Sequence, residues 1–430
     1  MFQSYHKSIE YLYGLQASGI KLGLSNTLHL LSLLDDPHKK LKVLHIAGTN
    51  GKGSTAAMVS SILDKAGFRV GLYTSPHLIN FTERIRVNKQ EISEEKVAEL
   101  TDSIYEKIEH TDLVRDITFF EFTTAIAMLY FLEQKVDIAV LEVGMGGRFD
   151  STNVVYPLVS VITNVSIDHQ QYLGKTILKI AFEKAGIIKK DGIVITGVTQ
   201  PSVLDLIRKK CHSNGATLYR VGRDFRARRM ADGSFNYYGL NTKYSNLKLS
   251  LPGKHQITNA VTALGALEIL GDKGYRIEDR TVYEGLENVY WPGRLEVVGR
   301  EPLVVLDCAH NRAGIKVLRD ALSKGVFSFR RLFLVMGVMM DKEVKAIISK
   351  LVPLADKVVL TQPDMDRAAS PKALLEEVKK YKKDAEIVRD VKEAVSYAIS
   401  QAQREDMVCI TGSTFTVGEA KELFISSESL

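Results

Sequence analysis

The sequence predicts an α/β protein of two unequal domains. Three observations carry the prediction. A Gly-rich turn closes a β-branched run near residue 48. Short apolar runs then alternate with helix-like segments as far as residue 295. After a Trp-Pro-Gly-Arg break at 291–294 a second series of the same kind begins. Such alternation places parallel strands between helices. The expected architecture is therefore a P-loop-containing, mostly parallel sheet over residues 1–295, with a smaller Rossmann-like α/β domain over 296–430.

The first strand, expected over 42–47, runs into Gly48-Thr-Asn-Gly-Lys-Gly-Ser54 and then a helix over 55–65. Strand, Gly-rich turn and helix together cradle phosphate: glycines admit close backbone approach, and the helix start offers unpaired N–H groups and a positive dipole end. Lys52 adds a cation for the β- and γ-phosphate oxygens. The spacing is not the usual Walker spacing, because Gly48 lies three residues before Gly51 and Gly53 separates Lys52 from Ser54. Further strands are expected over 69–74, 136–142, 158–165 and 192–197. The stretch 218–251 has Gly turns between short alternating runs and is expected to form a small antiparallel elaboration, followed by a helix over 255–270. The second series comprises 303–307, 332–338, 357–361, 386–388 and 407–411. Ligands of such sheets bind beyond the strands' carboxyl ends, so a site in a cleft between the two domains is expected.

Composition narrows the class. The chain has 430 residues, 45% apolar and 25% charged, as globular proteins do. No run is apolar enough to span a membrane, and the N-terminus lacks a signal-peptide layout. Three scattered cysteines, Cys211, Cys308 and Cys409, lack metal-site spacing and fit reduced thiols in a cytoplasm. A net charge of +6 permits anionic substrates without requiring nucleic acid.

Strand ends supply the other candidates: Ser75, Glu142, Asp168 and His169. Taken singly, these are commonly a turn residue, a solvated carboxylate and a hydrogen-bonded structural histidine. Their joint placement on the edge of the phosphate loop favours a divalent cation that bridges to nucleotide phosphates, Mg²⁺ or, given a His ligand, Mn²⁺. Lys184, taken alone, reads as a surface helix lysine with a packed stem; in an apolar setting its neutral amine could instead react with carbon dioxide. Asp307 and His310 end a strand of the second series, the loop Thr411-Gly-Ser413 ends another, and Arg294 sits at the break.

Taken together, Gly48 to Ser54, Thr74-Ser-Pro-His-Leu78, Glu83-Arg-Ile85, Thr118-Phe-Phe-Glu121, Leu141-Glu-Val-Gly-Met-Gly-Gly-Arg148 and Asp168-His169 resemble the folylpolyglutamate synthase and dihydrofolate synthase family of the Mur ligase superfamily. Glu183-Lys-Ala-Gly-Ile-Ile-Lys189, His255-Gln-Ile-Thr-Asn-Ala260, Trp291-Pro-Gly-Arg294 and Asp307-Cys-Ala-His-Asn311 continue the resemblance over nearly the whole length. The family usually has Gly at Cys308, Pro at Arg312 and a turn Gly at Asn88. Only 47 residues precede Gly48, so the extra uridine-nucleotide domain of cell-wall Mur ligases is not expected.

The resemblance implies an ATP-dependent, ADP-forming amide ligase that joins L-glutamate to the carboxylate of a reduced folate through an acyl phosphate, and leaves open dihydropteroate as a second acceptor. It implies that Asn50, Gly51, Lys52, Gly53 and Ser54 hold ATP, with Asn259, Arg294 and Asp307 as further nucleotide contacts. Ser75 and Glu142 would bind one Mg²⁺ and His169 a second, with Lys184 carbamylated beside it; Lys52, Lys184 and His169 are the catalytic set. Arg84, Thr118, Phe120 and Glu121 would handle the folate, and His310 and Ser413 the glutamate. A monomer acting on small molecules, without nucleic acid or membrane, is expected. Two other classes stay open on the residues alone. A P-loop phosphotransferase or ATPase would turn over ATP without glutamate, and a basic nucleic-acid module would bind with a steep salt dependence.

Overall fold

A computed structural model describes residues 2, 4–19, 21, 23–381 and 384–425. It divides into two compact units, Met1–Ser250 with Gln256–Val289, and Leu251–His255 with Tyr290–Leu430. The boundary at Tyr290 lies just upstream of the Trp-Pro-Gly-Arg break.

The first unit carries eleven strands: β1 (Val43–Ala47), β2 (Val70–Tyr73), β3 (Ile85–Val87), β4 (Gln90–Glu91), β5 (Ile138–Glu142), β6 (Val159–Ile162), β7 (Ile193–Thr196), β8 (Thr217–Arg220), β9 (Arg226–Arg229), β10 (Phe235–Tyr238) and β11 (Lys243–Leu247). Eight form one sheet in the order β4-β3-β2-β5-β1-β6-β7-β8. From β2 to β8 every pairing is parallel; β3 and β4 add an antiparallel hairpin at one edge. Its turn residue Asn88 has φ +55°, the left-handed conformation that Asn tolerates. The central strands are buried along their whole length, which is why they read as mainly apolar runs broken only by His45 and Glu142. Helix Phe119–Glu133 is mainly apolar and packs into the core that also holds Tyr73 and Leu141. A capping box starts it: Glu121 N donates to the Thr118 hydroxyl (3.3 Å) and Thr118 N to the Glu121 carboxylate (2.9 Å).

The stretch 218–251 corrects the sequence reading in part. Leu218 lies in β8, a parallel member of the main sheet, because helix Pro201–Ser213 acts as an ordinary crossover from β7. Only β9 to β11 form the small antiparallel sheet, in the order β11-β10-β9.

The second unit contains β12 (Glu296–Arg300), β13 (Leu303–Asp307), β14 (Leu332–Met336), β15 (Lys357–Leu360), β16 (Asp384–Ile387) and β17 (Met407–Thr411), in the order β12-β13-β17-β14-β15-β16. All pairings are parallel except β12, an edge strand missed in sequence because its residues are only half buried. The fully buried β17 returns to the centre, placing Thr411 level with Asp307 and Met336. No helix among the described residues is long and apolar enough to cross a membrane.

Candidate active site

The loop after β1 is held rigidly. A Cβ on Gly48 would sit 1.9 Å from the Thr163 hydroxyl, and one on Gly51 2.5 Å from Asn259 Oδ1; Gly51 also has φ +81°. Asn50 N donates to Asn164 Oδ1 (3.1 Å), while the Thr163 hydroxyl (2.7 Å) and Asn164 Nδ2 (2.6 Å) donate to Asn50 O. The loop is thus stapled to the end of β6 and opens directly into helix Lys52–Lys65.

Charged groups converge on it. Lys52 Nζ lies 3.6 Å from Glu142 Oε1 and donates to Thr49 O at 3.4 Å. Ser75 N donates to Glu142 Oε2 at 3.4 Å, so the buried carboxylate links the two. Ser54 is buried and its hydroxyl accepts from Gln256 Nε2 (3.3 Å), whose Oε1 accepts from Asn259 Nδ2 (2.9 Å). A small cavity is lined by Lys52, Lys184, Asp168, His169, Gly48 and Gly144.

Lys184 overturns the surface-lysine reading. It is 4% exposed and its Nζ donates to Gly48 O at 2.7 Å. Burial, then the neighbouring Lys52 cation, lowers its pKa to about 7, against the opposing pull of Asp168 and Asp150. The amine is therefore substantially neutral at physiological pH. His169, with φ +48°, follows the buried Asp168, whose Oδ1 accepts its backbone N–H (2.9 Å).

The residues expected to meet the acceptor lie on neighbouring elements. Arg84 is buried, donates through Nε to His77 Nδ1 (2.7 Å) and lies 5.1 Å from the centre of the Phe119 ring. Burial, reinforced by Arg84, lowers the His77 pKa to about 3 and keeps the imidazole neutral. Phe120 stacks on Tyr73 and covers Gly144, where a Cβ would lie 2.5 Å from the ring. Thr118 and Glu121 are spent chiefly on each other in the helix cap.

In the second unit, buried Asp307 accepts from Leu295 N and Ala309 N, both at 3.0 Å. Burial raises its pKa, with Arg294 opposing. His310 Nδ1 lies 2.9 Å from Cys308 O. Cys308 packs against Gly293, which explains how a thiol is accommodated there: a Cβ on Gly293 would lie 2.5 Å from its sulfur. Arg312 forms a bidentate ion pair with Glu343 (2.6 and 2.8 Å). The buried Ser413 hydroxyl accepts from Thr416 N (3.0 Å) and so caps the final helix.

Comparison with known proteins matches the Mur ligase middle domain to residues 46–267 and the Mur ligase glutamate ligase domain to residues 293–414. The chain is 36% identical to the dihydrofolate synthase/folylpolyglutamate synthase of Bacillus subtilis, over 98% of this chain and 99% of that one. The chain belongs to the folylpolyglutamate synthase/dihydrofolate synthase family. Its fold superposes on Escherichia coli FolC in complex with DHPP and ADP with a TM-score of 0.90, at 31% identity and 99% coverage of both chains. A bifunctional family member from Yersinia pestis, complexed with AMPPNP and Mn ion, gives 0.86 at 29% identity and 98% coverage of each.

Within this family fold, sequence reasoning missed the polar groups that support the loops. Buried Asp150 accepts from Met145 N (2.9 Å), Thr152 N (3.1 Å) and the Thr152 hydroxyl (2.5 Å), and that hydroxyl lies 2.8 Å from His45 Nε2. Thr163 and Asn164 brace the phosphate loop in the same way. Only Asn164, two residues past β6, carries a sequence signal, and an Asn just past a strand also marks any turn.

Proposed function

We propose that the chain is an ATP-dependent, ADP-forming ligase that joins L-glutamate to the γ-carboxylate of a reduced folate, and to dihydropteroate as a second acceptor. The observation that carries this reading is the meeting of a braced phosphate loop, Lys52, Glu142 and a buried Lys184 whose proton is loosely held, at one sheet edge.

The N–H groups from Gly51 to Ser54 and the Lys52 cation bind the nucleotide phosphates, with Asn259, Arg294 and Asp307 as further nucleotide contacts. Among the described residues no three His, Cys, Asp or Glu side chains come together as a metal cluster. Ser75 and Glu142 would hold one Mg²⁺ or Mn²⁺ ion and His169 a second, since such ions take oxygen ligands and complete their shells with water and phosphate oxygens. A bound divalent ion supplies charge neutralisation on the transferring phosphoryl group. Lys184 attacks carbon dioxide through its neutral amine and releases a proton, leaving a carbamate that helps place the second ion.

The acceptor carboxylate takes the γ-phosphoryl group, giving an acyl phosphate and ADP. Lys52 stabilises the charge spread over the transferring oxygens. The glutamate amine then attacks the acyl carbon; the tetrahedral adduct expels phosphate, and the nitrogen loses its proton. Arg84, Thr118, Phe120 and Glu121 orient the acceptor, and His310 and Ser413 the glutamate.

The test is mass spectrometry of products after incubation with ATP, Mg²⁺, glutamate and each acceptor. Glutamate-dependent ADP release with a product one glutamate heavier is expected, and Lys52→Ala should lower kcat by about a hundredfold or more. ADP release that ignores glutamate would establish the phosphotransferase alternative.

A further inference from the structure

Arg84 is a buried cation with an open end. It is 7% exposed, and its Nε donates to His77 Nδ1 at 2.7 Å. Among the described residues neither terminal nitrogen has a hydrogen-bond partner, and the guanidinium has no ion pair. Burial works against its charge, with Tyr73, Tyr13, Glu83 and Glu142 pulling the other way. Neither of those carboxylates is spare. Glu83 accepts from Leu78 N, Ile79 N and Asn80 N, each at 2.8 Å, and Glu142 faces Lys52 and Ser75. A guanidinium taken out of water without a carboxylate is costly, so this one calls for an anion from outside the chain.

The bond to His77 decides which part of Arg84 meets that anion. A guanidinium only donates, so Nδ1 is the unprotonated nitrogen of His77 and Nε2 carries the hydrogen. Nε2 then donates to the Tyr13 hydroxyl at 3.4 Å. The imidazole is thus held at both ends. Its backbone is held as well, because Glu83 gathers the three N–H groups that follow it. The Phe119 ring, centred 5.1 Å from the guanidinium carbon, covers one face of the cation. With Nε engaged and that face covered, the end-on fork of Nη1 and Nη2 remains. Such a fork meets a carboxylate with two parallel bonds.

Position relates this fork to the reaction. Arg84 leads into β3, and β2 alone separates β3 from β5. Arg84 and Glu142 therefore stand two strand spacings apart, about 10 Å, on one sheet edge. This is the side of the phosphate loop where Phe120 covers Gly144, away from β6, β7 and β8.

We infer that His77 is a positioning residue for the acceptor: it holds Arg84 so that the fork of Nη1 and Nη2 is presented to an acceptor carboxylate. An unrestrained arginine loses much rotamer freedom when it binds a ligand. One clamped through Nε has lost that freedom already in the folded protein. The inference rests on the ligase reading and adds to it a residue that governs acceptor affinity through another.

Two polar substitutions separate this role from simple space filling. In H77N the amide oxygen falls near the place of Nδ1 and can accept from Arg84 Nε. In H77Q the longer side chain carries its amide to the place of Nε2. Initial rates are measured with a monoglutamyl reduced folate, ATP and glutamate. H77Q should raise KM for the folate about threefold to tenfold, with kcat and KM for ATP unchanged, and H77N should recover most of that loss. In the R84M background H77Q should lower kcat/KM for the folate no further, because the fork it serves is gone. Should H77Q fail to fold, Y13F removes the outer anchor instead and should raise the folate KM about twofold; an unchanged value there would overturn the inference. Equal folate KM values in H77N and H77Q, a rise in KM for ATP as large as that for the folate, or the same H77Q effect with and without Arg84 would also overturn it, while leaving the ligase reading intact. No glutamate-dependent ligation by wild type would overturn both.

Discussion

Replacing Lys184 with Met should make the ligand-free protein more stable while destroying ligation. The amine titrates near pH 7 instead of 10.5, because burial and Lys52 oppose its charge. At about 1.4 kcal/mol per pH unit the whole gap corresponds to about 5 kcal/mol. The sign follows from proton binding: between pH 7 and 10.5 the unfolded chain holds the Lys184 proton and the folded chain does not. Wild-type stability therefore rises with pH across that window and is lowest, with respect to this group, at pH 7 and below. Half the amine is still protonated at pH 7, which leaves a penalty there of about 4 kcal/mol. Met fills most of the same space without charge, but forfeits the bond to Gly48 O, worth about 1 kcal/mol. The expected gain is about 3 kcal/mol at pH 7, vanishing by pH 10. Urea unfolding in bicarbonate-free buffer measures it. The one tryptophan, Trp291, belongs to the second unit, so the first unit is followed by far-ultraviolet circular dichroism. A Lys184→Met protein that is less stable than wild type at pH 7, or whose difference from wild type does not change with pH, would refute the reasoning.

Glu142→Gln removes the charge facing Lys52 and weakens the acceptor of Ser75 N; the Mg²⁺ concentration for half-maximal ADP release should rise tenfold or more. Gly51→Ala forces a side chain into φ +81° against Asn259, whose amide leads through Gln256 to Ser54. It should cost about 1–2 kcal/mol of stability and raise KM for ATP severalfold, read by urea midpoints and initial rates. Thr118→Ala deletes the capping-box hydroxyl that Glu121 N donates to, and should lower stability by about 1 kcal/mol in the same unfolding assay.

The two sheets and the phosphate loop were legible because their signals are local. A fully buried parallel strand must be largely apolar, and β1, β5 and β17 are, with one polar residue each: His45, Glu142 and Thr411. Half-buried edge strands carry no such signal, and so β12 went unseen while β8 was grouped with the wrong sheet. Lys184 shows the limit most sharply. In helix Ile177–Lys184 the apolar pair Leu178 and Phe182 is 43% and 49% exposed, whereas Ile180, Ala181 and Lys184 face inward. Ile177, Ile180 and Ala181 mark one face at i, i+3 and i+4, and Leu178 and Phe182 mark another, so apolar periodicity alone does not choose between them. Only the tertiary placement against Gly48 decides it, and motif resemblance anticipated what periodicity could not.

Two lysines in one small cavity pose a problem of charge, and its resolution bears on what the cavity holds. Lys52 has Glu142 at 3.6 Å, but Lys184 meets only a backbone carbonyl. The nearest carboxylates are committed elsewhere: Asp168 to the His169 N–H, Asp150 to Met145 and Thr152. In its free form Lys184 is therefore repelled by Lys52 and unsupported by a dedicated anion, which is why its proton is loosely held. An anion on Lys184 reverses every one of those terms. Carbamate would turn repulsion by Lys52 into attraction and would be favoured further by any divalent ion that nucleotide phosphates bring in. The same exchange raises repulsion from Asp168 and Asp150, so carbamate without cation gains little. On the proposed reading, carbamylation and metal loading should thus depend on each other, and the loaded state would relieve the unfavourable burial of the bare amine.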